Sequence, residues 1–317
     1  MKRNFYICSL LTISMLLIPL LIMKYEADEP ENVTEASVTE NDSISVMKSE
    51  NGRVDMLTPK EYIVGVLAAE MDPDCHDEAL KAQAVAAYTY ALYIKQKDNP
   101  DDLNGADISD DPDSYQGYLD LEERKEKWGE KFEENERKFN EIADSVEGKV
   151  ICYDKKPILA AYHDLNSGKT ESAETVWKKD IPYLRQVESP GDRLCTYYAT
   201  EVKLSYDEFR SSIEKIDGVE LDNDREKWIG DVEKTASGYV LNVTVCGCKV
   251  SSVDFRNILN LNSCCFDIKS DKEGVTITVK GNGHMVGMSQ YGADYMARQG
   301  SDYEEILKNY YSDVEIL

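Results

Sequence analysis

Thr58-Pro59-Lys60-Glu61-Tyr62-Ile63-Val64-Gly65-Val66-Leu67-Ala68-Ala69-Glu70-Met71, followed by Glu78 to Leu92, is the stretch on which the fold turns. Thr58 and Glu61 have the spacing of a capping box, and Pro59 sits at the first helical position, where its missing N–H is not needed. Tyr62, Ile63, Val66 and Leu67 then follow the helical period to about Met71. Met71-Asp72-Pro73-Asp74 reads as a turn. A second helix starts near Asp77, with alanines that permit close approach of a neighbour and with Leu80, Ala84, Tyr88 and Ala91 on one face.

Glu70 stands at the C-terminal end of the first helix. The negative end of the helix dipole disfavours a carboxylate there, and Ala68, Ala69 and Met71 around it are apolar. Both effects raise a carboxyl pKa, which suits a general acid near neutral pH. Pattern alone does not separate this from an ordinary solvated glutamate at a helix end.

Working outward, residues 98–147 are highly charged, with a helix expected from Glu122 to Asp144 burying Trp128, Phe132 and Phe139. Val150–Tyr153 and Pro157–Tyr162 read as a hairpin around Asp154-Lys155-Lys156. Residues 238–250 and 275–280 read as strands. The glycine-rich Gly281–Gly287 segment lies between a strand and a helix running from about Ser289 to Arg298. It lacks the Lys-Ser/Thr of a phosphate-binding loop and reads as a tight strand-to-helix turn. Ser301-Asp302-Tyr303-Glu304 is a second capping box that starts a last helix. Tyr291, Tyr295, Tyr303, Tyr310 and Tyr311 cluster in this C-terminal part, either as packing residues or as flat surfaces for sugar rings.

The chain has 317 residues and a formal net charge of −25, with 61 acidic against 36 basic residues. That balance argues against nucleic acid, whose phosphates need Lys and Arg clusters. The three histidines, His76, His163 and His284, lie in no standard metal pattern. Cys246, Cys248, Cys264 and Cys265 form a loose cluster that fits no zinc signature; free thiols, a disulfide and a metal all remain open there. At the N-terminus, Phe5–Met23 is an uncharged apolar run of 19 residues, close to the ~20 that span a bilayer. Lys2 and Arg3 precede it, acids follow it, and no A-x-A-like cleavage site comes after Met23. We therefore expect residues 1–4 in the cytoplasm, an uncleaved membrane anchor over 5–23, an acidic stalk without structure over 24–52, and one exported domain over 53–317.

The motif from Glu61 to Met71 with Glu78–Leu92, then Ile108–Pro112, Tyr162-His163, Ser167-Gly168-Lys169-Thr170-Glu171, Phe255–Leu259 and Gly281–Ala293, resembles the stage II sporulation protein D family, which includes amidase enhancers. The resemblance spans roughly residues 55–317. It implies an α+β fold with two lobes around a glycan-binding cleft, the Glu70 helix on one wall and the His163 and His284 segments on the other. It also implies a lytic transglycosylase that cleaves the β-1,4 bond between N-acetylmuramic acid and N-acetylglucosamine during sporulation engulfment, with Glu70 as catalytic acid and no cofactor. Tyr88, His163, Ser167, Lys169, His284, Ser289 and Gln290 would bind substrate. Peptide-stripped glycan strands would be the preferred substrate, with stage II sporulation protein P as amidase partner and stage II sporulation protein M as a third component.

Two departures matter. The family usually has arginine where this chain has Tyr88, and a tyrosine cannot replace its charge. Some members bind zinc through cysteines shortly after the histidine matching His163, whereas this chain has no cysteine between Cys152 and Cys195, so no metal site is carried over. The first departure keeps a non-catalytic, glycan-binding or amidase-activating role as the rival reading; a metal-dependent wall hydrolase is disfavoured by the missing ligand pattern. For the anchor, N-terminal sequencing of the membrane-bound protein is expected to return Met1 with residues 24–317 protease-accessible from outside; a soluble form beginning near residue 25 would contradict it.

Overall fold

The computed structural model describes residues 43–97, 103–112, 114–216, 218–221 and 224–317. The expected anchor at 5–23 and most of the expected stalk lie outside the described residues. Among those described, no helix is long and apolar enough to cross a membrane.

Order begins inside the expected stalk. β1 (Ile44–Met47) pairs antiparallel with β2 (Val54–Leu57), and Ile44 and Val46 are fully buried. The acidic composition of 24–52 hides this alternation of Ile44 and Val46 with Ser45 and Met47. The helical pair follows as α1 (Pro59–Glu70) and α2 (Asp77–Lys95). The Thr58–Glu61 capping box forms in both directions. His76 caps α2, its Nδ1 accepting from the Glu78 N–H at 3.2 Å. α2 is buried on every side from Ala82 to Leu92 rather than along one face, which makes it the central rod of the domain. Its alanines are what let α1 and other helices pack around it.

β3 (Ile108–Ser109) adds parallel to β1. The expected single helix over 122–144 is broken into α3 (Leu121–Trp128) and α4 (Phe132–Ser145), because Gly129 adopts φ +52°. Phe139 is fully buried, with the Trp128 ring edge-on at 5.4 Å. β4 (Ile151–Tyr153) and β5 (Lys156–Pro157) form a hairpin that turns through Asp154 and Lys155 as expected, but its second strand ends at Pro157 and does not extend to Tyr162, which joins another sheet. Then come β6 (Tyr162–His163) and the short α5 (Ala173–Trp177).

The chain next builds a second hydrophobic core. β7 (Ala199–Ser205), α6 (Tyr206–Ile213), β8 (Ile229–Lys234), β9 (Val240–Val245), β10 (Cys248–Ser251), α7 (Ser252–Leu259), β11 (Phe266–Ser270) and β12 (Gly274–Lys280) surround Phe209, Ile213, Val243, Phe255 and Ile277. Two antiparallel sheets, ordered β10-β9-β8 and β11-β12-β7, carry it. All the described cysteines are free. The chain returns to the first core through β13 (Met288–Ser289), α8 (Gln290–Arg298), α9 (Tyr303–Tyr310) and β14 (Glu315–Ile316), which pairs with β4. The last capping box is one residue later than expected, with Asp302 as cap and Glu305 returning the bond. The fold is thus mixed α and β with two hydrophobic cores.

One glycine sets the distance between α1 and the segment that crosses it. A Cβ on Gly65 would lie 2.1 Å from the Tyr118 ring and 2.8 Å from the Leu119 carbonyl oxygen. Tyr118 stacks on Tyr62, and the Leu119 N–H donates to the Gly65 carbonyl at 3.1 Å. Gly65→Ala is therefore expected to lower stability by ~1–3 kcal/mol, the usual range for overpacking. Calorimetric unfolding checks this; an unchanged melting temperature would mean that residues 117–119 yield freely.

Candidate active site

The site is assembled by two strands of two residues each. β6 and β13 run parallel, with Tyr162 beside Met288 and His163 beside Ser289. The residues that follow, Asp164 and Gln290, therefore emerge at the same end, where the Tyr291 N–H donates to the Asp164 carbonyl at 3.0 Å. Glu70, the last residue of α1, meets them there. The Gln290 amide donates to the Glu70 carbonyl at 3.4 Å. Glu70, Asp164 and Gln290 line a cavity of about 250 Å³ together with Met71, Asp72, Asp74 and Cys75 after α1, Tyr197, and Tyr291, Asp294 and Arg298 of α8.

The Glu70 carboxyl is half-buried, and its Oε1 accepts the Gly117 N–H at 2.7 Å. Gly117 is held from behind. The Gln116 side chain donates to the Ala87 carbonyl at 2.9 Å and to the Tyr62 hydroxyl, and accepts from the Tyr162 hydroxyl at 2.8 Å. Burial pushes the Glu70 pKa up to about 7; the Gly117 N–H, Gln290 and Lys127 oppose this, and the Asp164 charge adds to it. Lys127 sits below, its ammonium donating to the Ala68 carbonyl at 2.6 Å. The sequence argument from the helix end and apolar neighbours thus reaches the right direction, with burial as the main cause.

Asp164 is the carboxylate that sequence reading missed. Its Oδ2 accepts from the Asn282 amide at 2.8 Å, and the Tyr197 hydroxyl also bonds to it. Burial raises its pKa as well. Its neighbour His163 drew attention instead, yet alternation in a strand puts 163 and 164 on opposite sides. Arg298, also missed, brings a guanidinium to the cavity from α8, held by Asp294 at 2.6 Å and by the Asp74 carbonyl at 3.0 Å.

Of the residues expected to bind substrate, Gln290 lines this cavity and the others are elsewhere. Tyr88 is 2% exposed within α2 and packs in the core. His163 and His284 are buried with ring centroids 5.5 Å apart. His163 Nδ1 faces the Val286 carbonyl at 3.2 Å, and His284 Nδ1 accepts the Val286 N–H at 3.0 Å. Burial lowers the His163 pKa to about 4 and that of His284 well below its usual value. Both rings are buried, each with its Nε2 unpartnered among the described residues, and neither lines the Glu70 cavity. Ser289 is fully buried; it caps α8 and donates to Asp192 at 2.5 Å. Lys169 pairs with Glu188 at the surface. Ser167 lines a different cavity, at the junction of the two cores. Among the described residues, no group of three or more His, Cys, Asp or Glu is arranged to hold a metal ion.

Comparison with known proteins gives this geometry a family. Residues 48–153 match the family model described as Stage II sporulation protein. The chain is 32% identical to Stage II sporulation protein D of Bacillus amyloliquefaciens over all of this chain and 96% of that one. It is 34% identical to Stage II sporulation protein D of Bacillus subtilis (strain 168) over 86% of this chain and 78% of that one. A more distant similarity, 27% over 78% of this chain and 39% of the other, links it to the Amidase enhancer of Bacillus subtilis. With the relatives' similarity running over most or all of the chain and the Glu70 segment inside the residues that match the family model, the chain belongs to the stage II sporulation protein D family.

Proposed function

We propose that the protein is a peptidoglycan lytic transglycosylase that remodels the cell wall in sporulation, anchored through residues 5–23 with its folded part outside the cytoplasm. The observation that carries this reading is a carboxyl with a pKa of about 7 at the end of α1, opening into a cavity where Asp164 is one of four further carboxyls, beside two tyrosines and an arginine.

The chemistry follows from that pairing. Protonated Glu70 gives its proton to the glycosidic oxygen as the bond from the muramyl anomeric carbon breaks. The resulting carboxylate takes the proton of the muramyl C6 hydroxyl as that oxygen closes on the same carbon. Glu70 is then protonated again, and no water is consumed; the product is a 1,6-anhydro sugar. A group that must give and take a proton in one cycle works best with a pKa near the ambient pH. Asp164, when ionised, faces the positive charge that grows on the sugar, a role different from the nucleophile of two-carboxylate retaining hydrolases. Tyr197 and Tyr291, edge to face at 6.5 Å, offer ring surfaces for the glycan. Arg298 offers the guanidinium that Tyr88, sealed in the core, does not. An amidase such as stage II sporulation protein P would supply peptide-stripped strands, and stage II sporulation protein M would complete the assembly.

A second reading is an amidase-activating, glycan-binding protein without chemistry of its own, which the similarity to the Amidase enhancer favours. Product analysis by mass spectrometry separates the two. Wild type is expected to release anhydromuramyl products, and Glu70→Gln to lose ~10²–10⁴ of the rate while keeping its fold. The rate should fall as pH rises through about 7, where Glu70 loses its proton. Stability has the matching sign: the folded carboxyl holds its proton more tightly than the unfolded one, so ionising it costs stability as pH rises from about 4.5 towards 7. Glu70→Gln should therefore gain in stability relative to wild type above that window. Intact products from wild type, or full activity in Glu70→Gln, would overturn the enzymatic reading.

A further inference from the structure

We infer that the junction between the two cores is a carboxylate-recognition subsite, which takes the lactyl carboxylate exposed on a muramyl residue once its stem peptide has been cut off. The inference rests on the glycan reading above and adds the feature by which stripped strands are told from intact ones.

The junction encloses a cavity of about 390 Å³, lined from the first core by Ser167, Arg193 and Tyr198 and from the second by Lys234, Lys280 and Asp267. Three cations against one carboxylate is an unusual local excess in a chain of net charge −25. The two lysines already grip a carboxylate: Lys234 donates to Asp267 Oδ1 at 2.5 Å and Lys280 to Oδ2 at 3.0 Å. Lys234 is fixed further by the Phe266 carbonyl at 2.6 Å. Arg193 forms no ion pair among the described residues, and its Nε reaches only the Ser167 carbonyl at 3.5 Å. That carbonyl is also taken by the Tyr198 hydroxyl at 2.9 Å. The guanidinium lies against the backbone of Gly168, where a Cβ would come within 2.1 Å of Nε. Gly168, at φ +101°, thus keeps clear the space that the guanidinium occupies. A planar fork with free donors matches a carboxylate held in both teeth.

The position fits the substrate. Ser167 is three residues beyond Asp164, so at most ~10 Å of chain separates the cavity at the junction from the Glu70 cavity. One loop therefore serves both. On a strand with its stem peptide the lactyl group is a neutral amide carrying a bulky chain. Amidase cleavage replaces that amide with a small monoanion on the sugar itself.

The test is binding of soluble, peptide-stripped glycan strands to the full-length chain carrying Glu70→Gln, compared with the same strands after methyl esterification of the lactyl carboxylates. Free-acid strands are expected to bind about tenfold more tightly, the worth of one charge-assisted contact. Arg193→Gln, at an exposed position, should abolish that preference, and Asp267→Asn, which frees both lysines, should widen it. Equal affinity for the two strands, an unchanged preference in Arg193→Gln, or a narrower one in Asp267→Asn would each overturn the inference. Displacement of the strands by inorganic phosphate at constant ionic strength would make this a phosphate site and overturn it too. Preference without cleavage by the wild-type chain would sink only the transglycosylase reading; cleavage without preference would sink only this subsite.

Discussion

The contact on which the site depends is the 2.7 Å bond from the Gly117 N–H to Glu70 Oε1. It stabilises the ionised carboxyl, while the closure of the protein around the end of α1 destabilises it, and burial wins. The balance requires Gly117 to approach α1 closely. Gly65 supplies the room, and Gln116 pins the segment to Tyr62, Ala87 and Tyr162 on three different elements. A carboxyl placed on a flexible loop would recover its hydration; one placed at the end of a buried helix and faced by a fixed backbone N–H does not.

Division between the two cores explains an otherwise odd allocation of residues. The Glu70 cavity is built from the first core with Tyr197 at its edge, rather than from two opposed lobes. The second core contributes instead to the basic junction that meets the loop after Asp164. Asp192 ties that loop down, accepting from Ser189 and Ser289 hydroxyls and from the Asn166 N–H while fully buried. The loop is therefore part of the rigid frame, which suits a reaction whose main demand is placing a hydroxyl of the substrate against its own anomeric carbon.

Much of this was legible in the sequence wherever local rules act alone. The capping boxes, the starts of α1 and α2 and the turn at Asp154-Lys155 follow from short-range chemistry and stand within a residue of where they were expected, whereas α2 runs on to Lys95 and the second strand of the hairpin stops at Pro157 instead of reaching Tyr162. The break at Gly129 and the strand at Ile44–Met47 did not show, because charge patterns mask a single positive φ and a four-residue pairing. Glu70 was readable because helix end and apolar neighbours are sequence-local. Asp164 and Arg298 were not, since nothing near them in sequence marks them; a parallel pairing of β6 with β13, whose partners are 126 residues apart, puts Asp164 beside Gln290. His163 and His284 drew attention as rare residues in the matching motifs; burial disfavours their charged forms, and they sit beside each other away from the Glu70 cavity.

The most direct measurement is a titration of the Glu70 carboxyl itself, by infrared or carbon-13 NMR difference between the wild-type chain and Glu70→Gln. The expected result is a single carboxyl with a midpoint at about 7 that disappears in the variant. A midpoint in the ordinary glutamate range, near ~4.3, would mean that the carboxyl is hydrated and ionised at neutral pH, and it would contradict Glu70 as the proton donor.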